Sequence, residues 1–189
     1  MANDRDIGDN VPPVPGPRPG PSSDGGLAAA AGPRVSLAAG RLSRALHSMA
    51  LISQADGAAL MLAGEASGLR AVGGSTAEGL KLQYAQQFER VGPAHDSVSD
   101  GQPVAVNDLE SHEEAGYARL ARSAAPVRAV LSVPVHVEGD VIGSLNFYRC
   151  TPYTWTSRQI AVGEHLAGTA ADLLIRLAAD SAAGGPGRP

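Results

Sequence analysis

Apolar positions change period several times between residues 42 and 177, and each change marks an element. Leu42, Leu46, Met49 and Ile52 fall on one helical stripe that stops at Asp56-Gly57. Ala58–Leu62 is a short apolar run of strand length, Gly64–Gly68 a turn, and Leu69–Val72 the returning strand before Gly73-Gly74. Residues 75–90 predict a weak helix with Leu80, Tyr84 and Phe88 at four-residue spacing. Gly92-Pro93 interrupts it, and a short stretch without assignment runs to Asp100-Gly101. Val104–Val106 reads as a strand entering the loop Asn107-Asp108. Residues 113–124 read as a helix with Tyr117, Leu120 and Ala121 on one side. Strands follow over 127–137 and 141–149. A last helix opens with Thr156 and Gln159 in capping-box spacing and continues through Leu166, Leu173 and Leu177.

Strands joined by short hairpins and interleaved with helices give an α+β class, with an antiparallel sheet of five to six strands. A three-residue loop Glu138-Gly139-Asp140 puts Leu131, Val133, Val135 and Val137 on one face with Val141, Gly143, Leu145 and Phe147. Ser132, Pro134 and His136 then share the other face with Ile142, Ser144, Asn146 and Tyr148. A two-residue turn shifts the pairing by one and mixes the faces. Uniform patterning favours the longer loop. One face is therefore expected to be dry core under the terminal helices, and the other to line a small-molecule pocket.

Composition sets the limits. Residues 1–35 hold seven of the fourteen prolines and few large apolar side chains, so they are expected to be disordered, as are residues 180–189. The folded domain is expected over 36–179, long enough to stand alone. The 189-residue chain has a net charge of −4, and the 1–35 segment is no basic arm, which argues against direct nucleic-acid binding. The single cysteine, Cys150, excludes a disulfide framework and a Cys-based zinc site. No apolar run suits a membrane span and no signal peptide is evident, so a cytoplasmic protein is expected. Thirty-three alanines and an Arg-rich, Lys-poor composition suggest a GC-rich genome.

Several segments, in order, resemble the GAF domain, a small sensory module of signalling proteins. They are Gln54–Leu62, Val91–Ser97, Gly101–Leu109, Arg128–Val135 and Gly139–Tyr148, and together the likeness covers roughly 40–178. It is nearest to the GAF halves of actinobacterial regulators that also carry an ANTAR RNA-binding output. That output would need a further helical bundle after residue 179, where ten residues remain, so none is expected here. The resemblance implies a pocket opening near Gly92-Pro93, with terminal helices that pair between protomers. Leu166, Leu173 and Leu177 would fit such a homodimer seam. Alanine 94 stands where the family often has cysteine. Cys150 ends a strand, away from the bilin-attachment position of phytochrome-type members. The thiol set of the free methionine sulfoxide reductases of this fold is lacking.

No other motif outweighs its plainer explanation. His95-Asp96 could be an acid/base pair, but neighbours on a short turn usually point apart. Ser111-His112-Glu113-Glu114 starts like a zinc helix, yet residue 116 is Gly, and Ser111 as a helix N-cap explains the segment better. The scattered histidines read as structural or surface residues rather than haem ligands, and Cys150 reads better as a half-buried thiol than as a redox sensor. Ser75 and Thr76 read as helix-start residues, and the cyclic-nucleotide signature of the family is absent. A non-enzymatic, signal-sensing regulatory domain is expected, with no cofactor or metal implied. It would bind an unidentified small molecule through Phe88, His95, Tyr117, Ser132, Asn146 and Tyr148, chosen by strand parity and helix facing. The rival is a ligand-free interaction scaffold that docks a kinase or a transcriptional or antitermination partner, with a filled cavity and an exposed apolar patch.

Overall fold

The computed structural model describes residues 33–64 and 68–183. Its elements run α1 (Pro33–Ser53), β1 (Gly57–Gly64), β2 (Gly68–Gly74), α2 (Ala77–Glu89), α3 (Pro93–Asp100), β3 (Val104–Val106), α4 (Tyr117–Ala124), β4 (Ala129–Val137), β5 (Asp140–Arg149) and α5 (Ser157–Ala183). The expected tails lie mostly outside the described residues. Within them, α1 already covers 33–35 and α5 continues over 180–183, so the helices reach past the expected boundaries.

All strand pairs are antiparallel in a five-stranded sheet of order β2-β1-β5-β4-β3, so the fold is α+β. The last hairpin differs from expectation in an instructive way. Val137 faces Asp140, so the turn has two residues, with Glu138 and Gly139 both at positive φ as a tight hairpin turn demands. The mixed faces that such a turn would give do not follow. A bulge between Val135 and His136 leaves Ile142 without an opposite, and from Val135↔Gly143 onward the pairing is the expected one: Val133↔Leu145, Ser132↔Asn146, Leu131↔Phe147. The bulge also turns Ile142 from the polar face to the apolar one.

Leu131, Val133, Val135, Leu145 and Phe147 form that apolar face, and α1 and α5 cover it with Leu42, Leu46, Met49, Leu166, Ala167, Ala170 and Ala171. Each fully buried aliphatic side chain contributes about 1.5–3 kcal/mol, which makes this layer the main stabilising contact. Thr156 and Gln159 start α5 as a reciprocal capping box: the Thr156 N–H donates to Gln159 Oε1 (3.1 Å) and the Gln159 N–H to Thr156 Oγ1 (3.3 Å). Pro134 has no N–H to offer and lies just beyond Ser132, the β4 residue paired with the first residue of β3.

The helix expected over 113–124 begins later, at Tyr117. Ser111 is not its N-cap, because Gly116 precedes the helix with φ 103° and no side-chain cap. Instead Ser111 donates to Asp108 Oδ2 (2.9 Å), and Asp108 caps a short 3-10 turn by accepting from the Glu110 N–H (3.1 Å). Arg128 holds Asp108 by two bonds of 2.8 and 2.7 Å, and this pairing keeps the Asp108 carboxyl down at about 2. The left-handed residue after α1 is Gln54, so no glycine is needed for that turn. Gly57 is small for another reason: a Cβ on it would lie 2.3 Å from the Tyr148 hydroxyl.

Candidate functional site

The reverse face of the sheet is built from the alternate residues of the same two strands. Ser132 on β4 and Ser144 and Asn146 on β5 are buried there beneath α2, α3 and α4. The covering helix α2 turns an unusual side inward. Its buried residues are Gly79, Leu82, Gln83, Ala85 and Gln86, so two glutamines face the sheet. The Leu80-Tyr84-Phe88 stripe lies on the other side, with Tyr84 59% and Phe88 86% exposed. Phe88 is therefore not a lining residue; helix facing deduced from the large apolar positions selected the wrong side.

A neutral polar network fills this face. Ser132 Oγ and Ser144 Oγ both donate to Asn146 Oδ1, the latter over 3.3 Å. Asn146 Nδ2 donates to Gln83 Oε1 (3.4 Å) and to the Ser144 carbonyl (3.2 Å). Gln86 Nε2 donates to the same Gln83 Oε1 (3.3 Å) and lies 3.9 Å from Met61 Sδ. From there the network reaches α3, because Gln86 Oε1 accepts the Ala94 N–H at 2.9 Å. Two fully buried atoms on this side have no partner among the described residues: Gln83 Nε2 and Ser97 Oγ. A buried polar atom left unpaired costs about 1–3 kcal/mol, so each requires an explanation.

Gly92 lets α3 start where it does. Its φ is 129°, and a Cβ there would meet both Gln86 Oε1 and a Leu120 methyl at 2.7 Å. Polar ties then hold the three covering helices together. Tyr117 Oη on α4 donates to Asp96 Oδ2 on α3 (2.6 Å), and Glu89 on α2 accepts from Arg119 (3.0 Å) and Ser123 (3.3 Å) on α4. Burial, reinforced by the Asp96 bond, pushes the Tyr117 phenol far above its ordinary range, so it stays a donor.

Of the expected lining residues, Ser132 and Asn146 meet in one hydrogen-bonded group. Tyr148 lies on the same face but is committed structurally: its ring lies against Gly57 and Gly79, and its hydroxyl bonds Thr76 Oγ1, the α2 N-cap. Tyr117 is buried and its hydroxyl faces α3 rather than the serines. His95 is half-buried and ties down the end of α2, with Nε2 3.0 Å from the Gln86 carbonyl. His95 and Asp96 thus serve different partners and form no acid/base pair. Gln83, Gln86 and Ser97 were not anticipated, although Gly79, Leu82, Gln83 and Gln86 carry the i, i+3, i+4, i+7 spacing of a buried helix face.

The remaining candidates have structural surroundings. Burial, with Asp56 and Glu78 nearby, raises the Cys150 thiol, the opposite of what an activated thiolate needs. His112 stacks on Tyr117 with ring centroids 3.8 Å apart. No group of three or more potential metal ligands occurs among the described residues. No described helix is long and apolar enough to cross a membrane.

Comparison with curated protein sequences gave no match. Among solved structures, the chain is similar to a domain assigned to a two-component sensor histidine kinase of Sinorhizobium meliloti 1021 (TM-score 0.60, 18% identity, 76% of this chain and 94% of that one). It is also similar to a type II free methionine-R-sulfoxide reductase from Thermoplasma acidophilum (TM-score 0.55, 16% identity, 75% and 95% covered). A third is the blue-light absorbing form of the PixJ GAF domain from Thermosynechococcus elongatus (TM-score 0.55, 16% identity, 79% and 92% covered). At these identities the likeness is one of fold. The sequence itself matches the GAF domain family over residues 39–174, most of the chain, and the protein belongs to that family.

Proposed function

We propose that this GAF domain is a non-enzymatic sensor in which the face under α2, α3 and α4 takes up a small molecule. The carrying observation is the buried polar network with two unpaired atoms, Gln83 Nε2 and Ser97 Oγ, on the side of the sheet opposite the aliphatic core. A face meant only for stability gains little from such groups. Occupancy would favour one arrangement of the α2–α3 loop and α4, since Gln86, Asp96 and Glu89 tie these elements together. The strands beneath carry the change outward, because the residues alternating with Ser132 and Asn146 contact the terminal-helix layer.

We further propose that two copies pair through α1 and α5, joined within one chain by Arg41 and Asp180 at 3.0 Å. Leu173 and Leu177 pack partly, and Leu166 fully, against this domain's own core. The side chains left for a seam are Leu37, Leu51, Ile52 and Ile175, all exposed. Native mass spectrometry of the purified full chain, with a broad small-molecule thermal-shift panel, tests both ideas. A retained or added ligand supports the sensor; no bound species and no hit of any class contradicts it. A monomer at micromolar concentration contradicts the pairing.

A second reading has its own support. Tyr84 and Phe88 stand out from α2 into solvent, as expected of an interaction scaffold that docks a partner protein. In that case Phe88→Ser would abolish partner docking while leaving the thermal midpoint unchanged, and no small molecule would bind the parent chain.

A further inference from the structure

We infer that the ligand is an uncharged molecule bearing a carbonyl-type acceptor, such as an amide or a lactam, rather than an anion or a cation. This rests on the sensor reading above and specifies its ligand class. Among the described residues, the buried polar side chains are Ser53, Gln83, Gln86, Ser97, Ser132, Ser144 and Asn146, and none of them carries a charge. Apart from Ser53, which donates to the Ala50 carbonyl within α1, all lie on the helices and strands that face each other across the reverse side of the sheet.

Charge is the deciding property. An ion taken into this layer would lose its hydration and meet no counter-ion, a penalty of several kcal/mol that neutral amides and hydroxyls cannot offset. The ionisable side chains beside Ala94 and Ser97 on α3 are already engaged, His95 at the Gln86 carbonyl (3.0 Å) and Asp96 by the Tyr117 hydroxyl (2.6 Å). Arg119 is engaged at Glu89, and Arg128 at Asp108 and Glu110.

Hydrogen-bond complementarity then gives the functional group. Gln83 Nε2 can only donate, so the ligand must present an acceptor to it. The Ser97 hydroxyl can donate or accept, so it tolerates either an N–H or a carbonyl alongside. The Gln83 oxygen is already used twice, by Asn146 and Gln86, which fixes the amide orientation and leaves its nitrogen as the free group. Burial of Pro93, Ala94 and Ser97 means that α3 covers the site, and entry requires it to move away from Gln86.

Three planar probes of one size separate the possibilities: benzamide is neutral, benzoate an anion and benzamidinium a cation. Each is titrated calorimetrically into the full chain at pH 7. Benzamide should bind at least tenfold more tightly than either ion. Ser97→Ala, which removes only an unpaired hydroxyl, should leave the thermal midpoint no lower than the parent's and weaken benzamide about fivefold. Equal or tighter binding of benzoate or benzamidinium overturns the inference, as does an unchanged benzamide affinity in Ser97→Ala. If none of the three binds while the broad panel gives hits, the ligand class is wrong and the sensor stands. Silence in both removes the two together.

Discussion

The two faces of the sheet come from the same strands, one residue apart, yet they are built to different rules. On the α1/α5 side, Leu131, Val133, Val135, Leu145 and Phe147 pack into one cluster with the apolar side chains of the two terminal helices. On the α2–α4 side, Ser132, Ser144 and Asn146 hold one another and two glutamines. The first arrangement maximises the area removed from water; the second accepts desolvated amides and leaves two atoms unpaired. On the proposed reading, the difference separates scaffold from site: the aliphatic layer supplies stability, and the polar layer would supply recognition.

Substitutions should separate the faces by size of effect. Phe147→Ala opens a void in the aliphatic layer and should cost about 3–5 kcal/mol in urea unfolding. Gly57→Ala drives a methyl into the Tyr148 ring and hydroxyl and should cost about 1–3 kcal/mol. The double variant with Tyr148→Ala should be less destabilised than the sum of the two single changes. Asn146→Ala strips partners from Ser132 and Gln83 and should cost about 1–2 kcal/mol, below Phe147→Ala despite equal burial. An Asn146→Ala loss as large as that of Phe147→Ala would erase the distinction.

A control away from both faces is Asp108→Asn, which should cost about 1 kcal/mol at neutral pH. The sign follows from the depressed carboxyl. Its stabilisation is complete above the ordinary value of 3.8 and disappears as the pH falls towards 2, so variant and parent should converge in acid. Ser97→Ala should act in the opposite direction, raising stability by about 1 kcal/mol, because it removes a buried hydroxyl that has no partner among the described residues.

Strand parity made the sheet legible in the sequence, since alternation along 131–147 has one sensible solution, and the bulge at Ile142 preserved it. The capping box at Thr156 was equally clear. The covering helices were less so. In α2 the Leu80-Tyr84-Phe88 stripe suggested an inward face, whereas the inward positions are Gly79, Leu82, Gln83, Ala85 and Gln86, two of them glutamines, a type usually found outside. Helix α3, Pro93–Asp100, is short and mostly polar, and its trace in the sequence was a proline at the first turn after a glycine. Half of the site therefore escaped: Ser132 and Asn146 follow from alternation, but Gln83, Gln86 and Ser97 depend on which side two helices turn.

The side-chain amides themselves provide the most direct test. Following the NH2 signals of Gln83, Gln86 and Asn146 by nuclear magnetic resonance while benzamide is added should show shifts centred on Gln83. Signals from Leu46, Leu166 and the other residues of the aliphatic layer should move least. Shifts confined to the α1/α5 side, with the three amides unmoved at saturation, would contradict the assignment of the site.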